Sequence, residues 1–182
     1  MDYPDSRPTI RTDRLILRPL QISDGWDVRK MAGNSKVAEN TLYMPFPYPE
    51  GVAEEWISTH ANEFFEKKQL VLGICLKSNK TLIGCVGLTM KIEIENAELG
   101  YWICEEYWNN GYATEAARAI IEFGFESLGL HKIYANYFSN NASSGKVMKK
   151  IGMKQEGYLK EHVRHWGEYK DLFVFGIINQ QK

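Results

Sequence analysis

The sequence predicts an α/β domain of the α+β kind, built on one mixed, mostly antiparallel sheet flanked by helices. Three observations predict it. Two apolar runs, Leu70 to Leu76 and Leu82 to Met90, are joined by Lys77-Ser-Asn-Lys80, a hairpin signal. Two further runs, about 155–164 and 169–178, meet at Trp166-Gly167 and read as a second hairpin that closes the chain. Between the hairpins lies a strand–helix–strand crossover. Its first strand is Ala97 to Cys104, where Leu99, Tyr101 and Ile103 alternate with Glu98, Gly100, Trp102 and Cys104.

In chain order, Leu15-Ile-Leu between Arg14 and Arg18 is a first strand, closed by Pro19. Ser23 is expected to N-cap a helix carrying Trp26 and Met31. The segment Tyr43-Met-Pro-Phe-Pro-Tyr-Pro is too rich in proline for a helix or a central strand. It reads either as a rigid loop on the core or as an aromatic groove lining. From Glu50 to Lys67, residues Val52, Ala53, Trp56, Ile57, Ala61, Phe64 and Phe65 keep helical spacing. His60 falls near that apolar face and reads as a structural histidine. After the glycine-bearing stretch Tyr107 to Glu115, residues Ala113, Ala116, Ala117, Ile120, Phe123, Gly124 and Leu128 share one helix face. Glu115, Arg118, Glu122 and Glu126 make the opposite, charged face. Lys132 to Phe138 is the second crossover strand. Ser139-Asn-Asn then turns into a short helix with Val147, Met148 and Ile151 inward, ended by Gly152.

Composition sets bounds on function. At 182 residues the chain suits a single domain over 1–182, with its core at about 9–178. A net charge of -1 offers no global attraction to nucleic acid or anionic lipid, so any phosphate site must be local. Cys75, Cys85 and Cys104 are an odd set without metal-ligand spacing and read as reduced core thiols, which fits a cytoplasmic protein. No metal site is expected. The polar start of the chain reads as neither a signal peptide nor an anchor. No apolar run reaches the ~20 residues that a membrane span needs.

The chemistry concentrates in Tyr107-Trp-Asn-Asn-Gly-Tyr-Ala-Thr-Glu115. A loop carrying Gly111 feeds directly into a helix N-terminus, whose first N–H groups lack partners and whose dipole favours an anion. A phosphate would sit well there. Neither GxGxxG nor GxxxxGK[ST] is present, which argues against a dinucleotide or Walker-type site. Glu98-Leu-Gly-Tyr-Trp102, then the glycine stretch, then Asn141-x-x-Ser144 and Lys150-Ile-Gly-Met153 follow at set spacings. Together they resemble the GNAT superfamily of N-acetyltransferases, in particular the branch with the ribosomal-protein N-terminal acetyltransferases RimJ and RimL. The resemblance spans about 14–178.

That resemblance implies a GNAT fold, in which the strands of Glu98 and of Lys132 run parallel and splay into a V. It implies acetyl-CoA as cosubstrate, its pantetheine pairing with backbone groups of Trp102, Ile103 and Cys104. The pyrophosphate would rest on the N–H groups of Asn109, Asn110, Gly111, Tyr112, Ala113 and Thr114. Trp108 stands where the family often has Gln or Arg, a change that backbone contacts survive. Asn141 would contact the pantetheine arm, or serve as an N-cap alone. Lys146 would attract the 3′-phosphate, or be a solvated surface lysine.

The reaction needs a neutral amine to attack a thioester. A lysine amine, with a pKa of about 10.4, is neutral in about one part in 2,500 at pH 7, whereas an α-amine, at about 7.7–8.0, is about a tenth neutral. An enzyme for α-amines thus asks less of its base. By resemblance the base is Glu98; otherwise Glu98 is an exposed strand carboxylate or one paired with an arginine. The family's usual tyrosine acid is replaced here by Met148, and the RimL-like serine falls on Ser144, whose hydroxyl would hydrogen-bond the sulfur or only stabilise the first helical turn. Asp171 reads as structural, holding the last hairpin, and His162 and His165 receive no role.

The expected function is acetyl transfer to a protein or peptide N-terminal α-amine, by direct attack in a ternary complex. The alternatives are a small amine acceptor, such as a polyamine, amino acid or antibiotic, and a non-catalytic acyl-CoA sensor. Glu93, Glu95 and Glu98 would favour a cationic acceptor under either enzyme reading. The chain is expected to act as a monomer or homodimer, without a nucleic-acid or membrane partner.

Overall fold

Among residues 3–180, which the computed structural model describes, one eight-stranded sheet carries all the strands. The elements are β1 (Ile10–Arg11), β2 (Leu15–Arg18), α1 (Gly25–Ala32), α2 (Ser35–Ala38), α3 (Val52–Phe65), β3 (Gln69–Leu76), β4 (Leu82–Lys91) and β5 (Asn96–Ile103). They continue with α4 (Tyr112–Glu126), β6 (Lys132–Phe138), α5 (Ala142–Lys150), β7 (Lys154–His165) and β8 (Glu168–Ile178). The strand order is β1-β2-β3-β4-β5-β6-β8-β7. Every pairing is antiparallel except that of β5 with β6.

Alternation along the strands builds two cores, one on each face. Leu15, Leu17, Leu70, Leu72 and Ile74 face α4, meeting Ala116, Ala117 and Ile120. Their neighbours Ile16, Val71 and Cys75 face α1 and α3, meeting Val28, Met31, Ala53 and Ile57. Each fully buried leucine or isoleucine contributes about 1.5–3 kcal/mol relative to an exposed one. The sheet is therefore held rigidly from both sides, as a cleft within it requires. Among the described residues no helix is long and apolar enough to cross a membrane.

Several local expectations are corrected. Ser23 does not cap α1; a 3-10 turn, Ile22–Asp24, precedes that helix, and Asp24 organises it. The buried Asp24 carboxylate accepts two 2.8 Å bonds from Arg18 and one of 2.7 Å from the Gln21 N–H, three donors that a serine hydroxyl could not hold together. Burial pushes the Asp24 carboxyl up, but Arg18 and the Gln21 N–H together hold it below the usual carboxylate range. β1 and α2 were not expected, because two and four residues are too few to show a period. β5 stops at Ile103 rather than Cys104, where the chain enters a 3-10 turn at Glu105–Tyr107.

Other readings hold. His60 is 1% exposed and lies edge-on to Trp56 at 4.4 Å. Asp171 accepts from the Glu161 N–H at 2.7 Å and from the Tyr158 hydroxyl, fastening the register shift between Leu159 and Val163 in β7. The proline-rich segment is a loop whose Tyr43 borders the cleft of the sheet, with Phe46 packed on the exposed Trp166 at 5.2 Å rather than on the core.

Candidate active site

The site begins with a pairing that stops. β5 and β6 pair at Asn96–Lys132, Ala97–Ile133 and Glu98–Tyr134, and then diverge. Beyond Glu98, β5 continues along β4 as far as Ile103, while β6 continues along β8 as far as Phe138. Each strand keeps one partner and turns its other edge to the gap. Glu98 sits at the vertex of this V.

The ladder decides which backbone groups face the gap. The Cys104 N–H donates to the Ile83 carbonyl at 2.8 Å. Hydrogen-bonded and non-bonded pairs alternate in an antiparallel ladder, so Trp102 and Gly100 also spend their backbone groups on β4. Tyr101 and Ile103 turn theirs towards the gap. The Ile103 carbonyl is taken by the Trp108 indole N–H at 2.6 Å, which folds the following loop back against the strand.

That loop leads into α4. Asn109 and Gly111 both have positive φ, 63° and 80°, so the chain coils tightly just before the helix. Gly111 occupies the N-cap and offers no side-chain cap, which leaves the first N–H groups of a fifteen-residue helix to a ligand or solvent. An arginine that immediately precedes β2 fixes this loop. Arg14 donates from Nη1 to the Asn110 carbonyl at 3.0 Å and from Nε to Glu115 at 2.7 Å, with its guanidinium 4.7 Å over the Tyr112 ring. Glu115 also accepts from the Thr12 hydroxyl at 2.6 Å and from the Arg14 N–H at 2.9 Å. Glu115 is thus a tie between β1–β2 and α4, not one more member of a solvated helix face. Burial pushes its carboxyl up, and the Thr12 and Arg14 donors bring it below the usual range.

α5 supplies the opposite wall. The Asn141 side chain caps it, accepting from the Ser144 N–H at 3.1 Å. The Ser144 hydroxyl lies 2.8 Å from the Tyr101 hydroxyl, so a hydrogen bond spans the two arms of the V. Lys146 is exposed at the rim, and Met148 is 1% exposed in the core. The groove so formed has a volume of about 980 Å³. It brings together Glu98, Trp102, Ile103, Asn109, Gly111, Tyr112, Ala113, Thr114, Asn141, Ser144 and Lys146.

Cys104 and Asn110 do not line it. Cys104 turns its N–H to β4, and the Asn110 amide donates back to the Tyr107 and Trp108 carbonyls, at 3.2 and 2.9 Å, holding the loop from behind. Glu93 and Glu95 do not line it either; they lie where the chain enters β5, at the closed end of the V. His162 lies in the groove wall, whereas His165 is buried in β7, between Phe138 and Trp166 at ring distances of 5.0 and 5.1 Å.

Glu98 is held by neutral donors rather than by an arginine. Asn136 donates to Oε1 at 3.0 Å and Tyr134 to Oε2 at 3.3 Å, both from β6. Burial, and then the charge of Glu98 beside it, raise the Tyr134 phenol, so it remains a protonated donor. The two bonds fix the carboxylate's orientation and leave further lone pairs for a third donor. Gly100, two residues on and on the same strand face, has open space where a Cβ would stand. A small group can therefore approach Glu98 along that face.

Four residues of the site carry little or no signal in the sequence: Tyr101, Tyr134, Asn136 and Arg14. Tyr101 carries a faint signal, a hydroxyl in the otherwise apolar row Leu99, Tyr101, Ile103. The others carry none, because their partners lie 36 or more positions away.

Comparison with known proteins agrees with this geometry. Residues 14–154 match the family described as acetyltransferase (GNAT) domain. The uncharacterized N-acetyltransferase YoaA of Bacillus subtilis is 32% identical over 178 residues, covering 96% of this chain and 99% of its own length. The ribosomal protein uS5-alanine N-acetyltransferase of Escherichia coli is 26% identical over 185 residues, covering 93% of this chain and 91% of its own length. A crystal structure of a GNAT-family acetyltransferase from Bacillus anthracis superposes with a TM-score of 0.83 at 27% identity, over 94% of this chain and 98% of that one. A V-shaped opening in a mixed sheet, a carboxylate at its vertex and a family match over most of the chain converge: this protein belongs to the GNAT acetyltransferase family and is an N-acetyltransferase.

Proposed function

We propose that the protein transfers the acetyl group of acetyl-CoA to the N-terminal α-amine of a protein or peptide. The observation that carries this reading is Glu98 at the vertex of the V, oriented by Asn136 and Tyr134 and open on the Gly100 side. Acetyl-CoA supplies an activated acetyl thioester. The residues present fit such a molecule. The edge of β5 around Tyr101 offers backbone groups that an extended amide chain would complete. The uncapped α4 terminus with Gly111 suits a pyrophosphate, and Lys146 adds positive charge at the rim.

In the reaction, Glu98 accepts the proton that the amine loses as its nitrogen bonds to carbonyl carbon, directly or through one water. Ser144, on the other arm, donates a hydrogen bond towards the departing sulfur. A thiol leaves readily as thiolate, so positioning contributes more than proton donation does. An α-amine needs little help to lose its proton, which suits a site whose base is held by two neutral partners. The E. coli relative, which acetylates an alanine of ribosomal protein uS5, supports this acceptor class. Three unpaired thiols fit a cytoplasmic setting.

The test is thiol release from acetyl-CoA across peptides with free N-termini, polyamines and aminoglycosides, with Glu98→Ala alongside. Turnover confined to peptides and lost in the variant at neutral pH is expected. Turnover confined to small amines would replace the acceptor class.

A further inference from the structure

The hydrogen bond across the V has a direction that the chemistry sets. Tyr101 comes from β5 and Ser144 from the first turn of α5, and their hydroxyl oxygens are 2.8 Å apart. Two arrangements of the protons satisfy that distance. In one, Ser144 donates to Tyr101, and Tyr101 donates to the Ser144 carbonyl at 3.3 Å. In the other, Tyr101 donates to Ser144 Oγ, and the Ser144 proton is turned into the groove. An anion in the groove favours the second, because a thiolate only accepts and Ser144 has one proton to give. Burial pushes the Tyr101 phenol up to about 12, with the Ser144 bond opposing and Tyr137 adding to the rise. Tyr101 therefore stays a donor throughout the neutral range.

We propose that Tyr101 is a positioning residue: by donating to Ser144 Oγ it aims the serine proton at the sulfur of CoA and so stabilises the departing thiolate. The proposal rests on the N-acetyltransferase reading of this groove. Electrons and protons balance without a further reactant. The nitrogen–carbon bond forms, the carbon–sulfur bond breaks with its electron pair on sulfur, and the amine proton goes to Glu98. Neither hydroxyl gives up its proton; both hydrogen-bond. The side chains around the pair keep this geometry. Asn141 holds the Ser144 N–H at 3.1 Å, and Gly145 lets α5 sit against Tyr137, whose hydroxyl would lie 2.5 Å from any Cβ at position 145. A relay of this kind also accounts for Met148 in place of a tyrosine, since the phenol is supplied from the opposite arm.

The test uses Tyr101→Phe, Ser144→Ala and the double variant. Tyr101→Phe keeps the ring, so a thermal melt within a few degrees of wild type is expected. Two readouts are taken. First, the ultraviolet thiolate absorbance of bound CoA is titrated with pH, a measurement that needs no acceptor. Wild type is expected to hold the bound thiol below the pKa of free CoA titrated in the same buffer, and each variant to raise it by about one unit. Second, with an accepted amine, Tyr101→Phe should lower kcat about 10-fold with KM for acetyl-CoA within about twofold. The double variant should be no worse than Ser144→Ala alone, because Tyr101 acts through Ser144. An unchanged thiol pKa in Tyr101→Phe, or losses that multiply in the double variant, would overturn the proposal. A wild type that titrates as expected but acetylates no amine would leave Tyr101 in place and sink the transferase reading instead; a wild type that binds no CoA would sink both.

Discussion

The two halves of the β5–β6 pair obey different rules. In the closed half, Ala97 and Ile133 are 1% and 0% exposed, and the strands complete each other's hydrogen bonds. In the open half, from Leu99 to Ile103 and from Ala135 to Phe138, each strand has one partner and a groove where the second would be. The same two strands thus serve stability over three residue pairs and chemistry beyond them. The changeover falls on Glu98, whose backbone belongs to the closed half and whose carboxylate serves the open one. A catalytic group placed there gains the rigidity of a sheet interior together with access to a cleft. The lesson is that an incomplete sheet is a costly feature, and that it persists where a ligand completes it.

This contrast can be broken from either side. The largest effect is expected in the closed half: Ile133→Ala should cost about 2–5 kcal/mol in chemical denaturation and leave KM for acetyl-CoA unchanged in the folded fraction. Glu98→Gln should do the converse. At neutral pH its kcat is expected to fall by about 10²-fold, with a melting temperature close to wild type and unaltered CoA affinity. Steady-state kinetics beside calorimetry separates the two. Equal loss of stability in both variants would erase the distinction between the halves.

A control lies outside both arms, at His60 in α3. Burial, with the Arg7 charge adding to it, lowers this imidazole to about 4 from its usual 6.5. A histidine whose folded pKa lies below its unfolded one binds fewer protons in the native state. Its neutral form is therefore compatible with full stability above about 6.5, and stability falls as the pH drops from there towards about 4. Denaturation at a series of pH values should show a loss of roughly 3 kcal/mol across that window, removed by His60→Phe. The activity profile near neutrality should not follow it. The smallest effect expected is at the glycine loop: Gly111→Ala forces a side chain to φ 80° and should cost roughly 1–2 kcal/mol of stability. It should also raise KM for acetyl-CoA several-fold, read in the same assay.

What was legible followed from period. β3, β4, β6 and the last hairpin stand within a residue or two of their expected bounds, because alternation is local and the two-sided core enforces it. The α4 terminus was legible for the same reason, with glycine, N-cap and helix face all adjacent in the chain. Glu98 was legible only through resemblance to a family, since alternation puts it on a strand but no local signal marks that carboxylate as a base. Ser23 misled because capping preference is a weak local rule, overruled by an arginine that reached Asp24 from β2.

By itself, then, the sequence determined the order of the longer strands and helices, the glycine loop against a helix terminus, and the family. The first two depend on residues within one or two turns of each other, and the family on short motifs in a set order along the chain. Only the tertiary structure decided where β5 and β6 part, that Glu98 marks that point, and that Asn136 and Tyr134 orient it. It alone brought Arg14 to the Asn110 loop, across 96 positions, and Tyr101 to Ser144, across 43. The physical reason is that a hydrogen bond between distant segments leaves no periodic trace in either one. It exists once the sheet register and the packing of helices on it have fixed both ends.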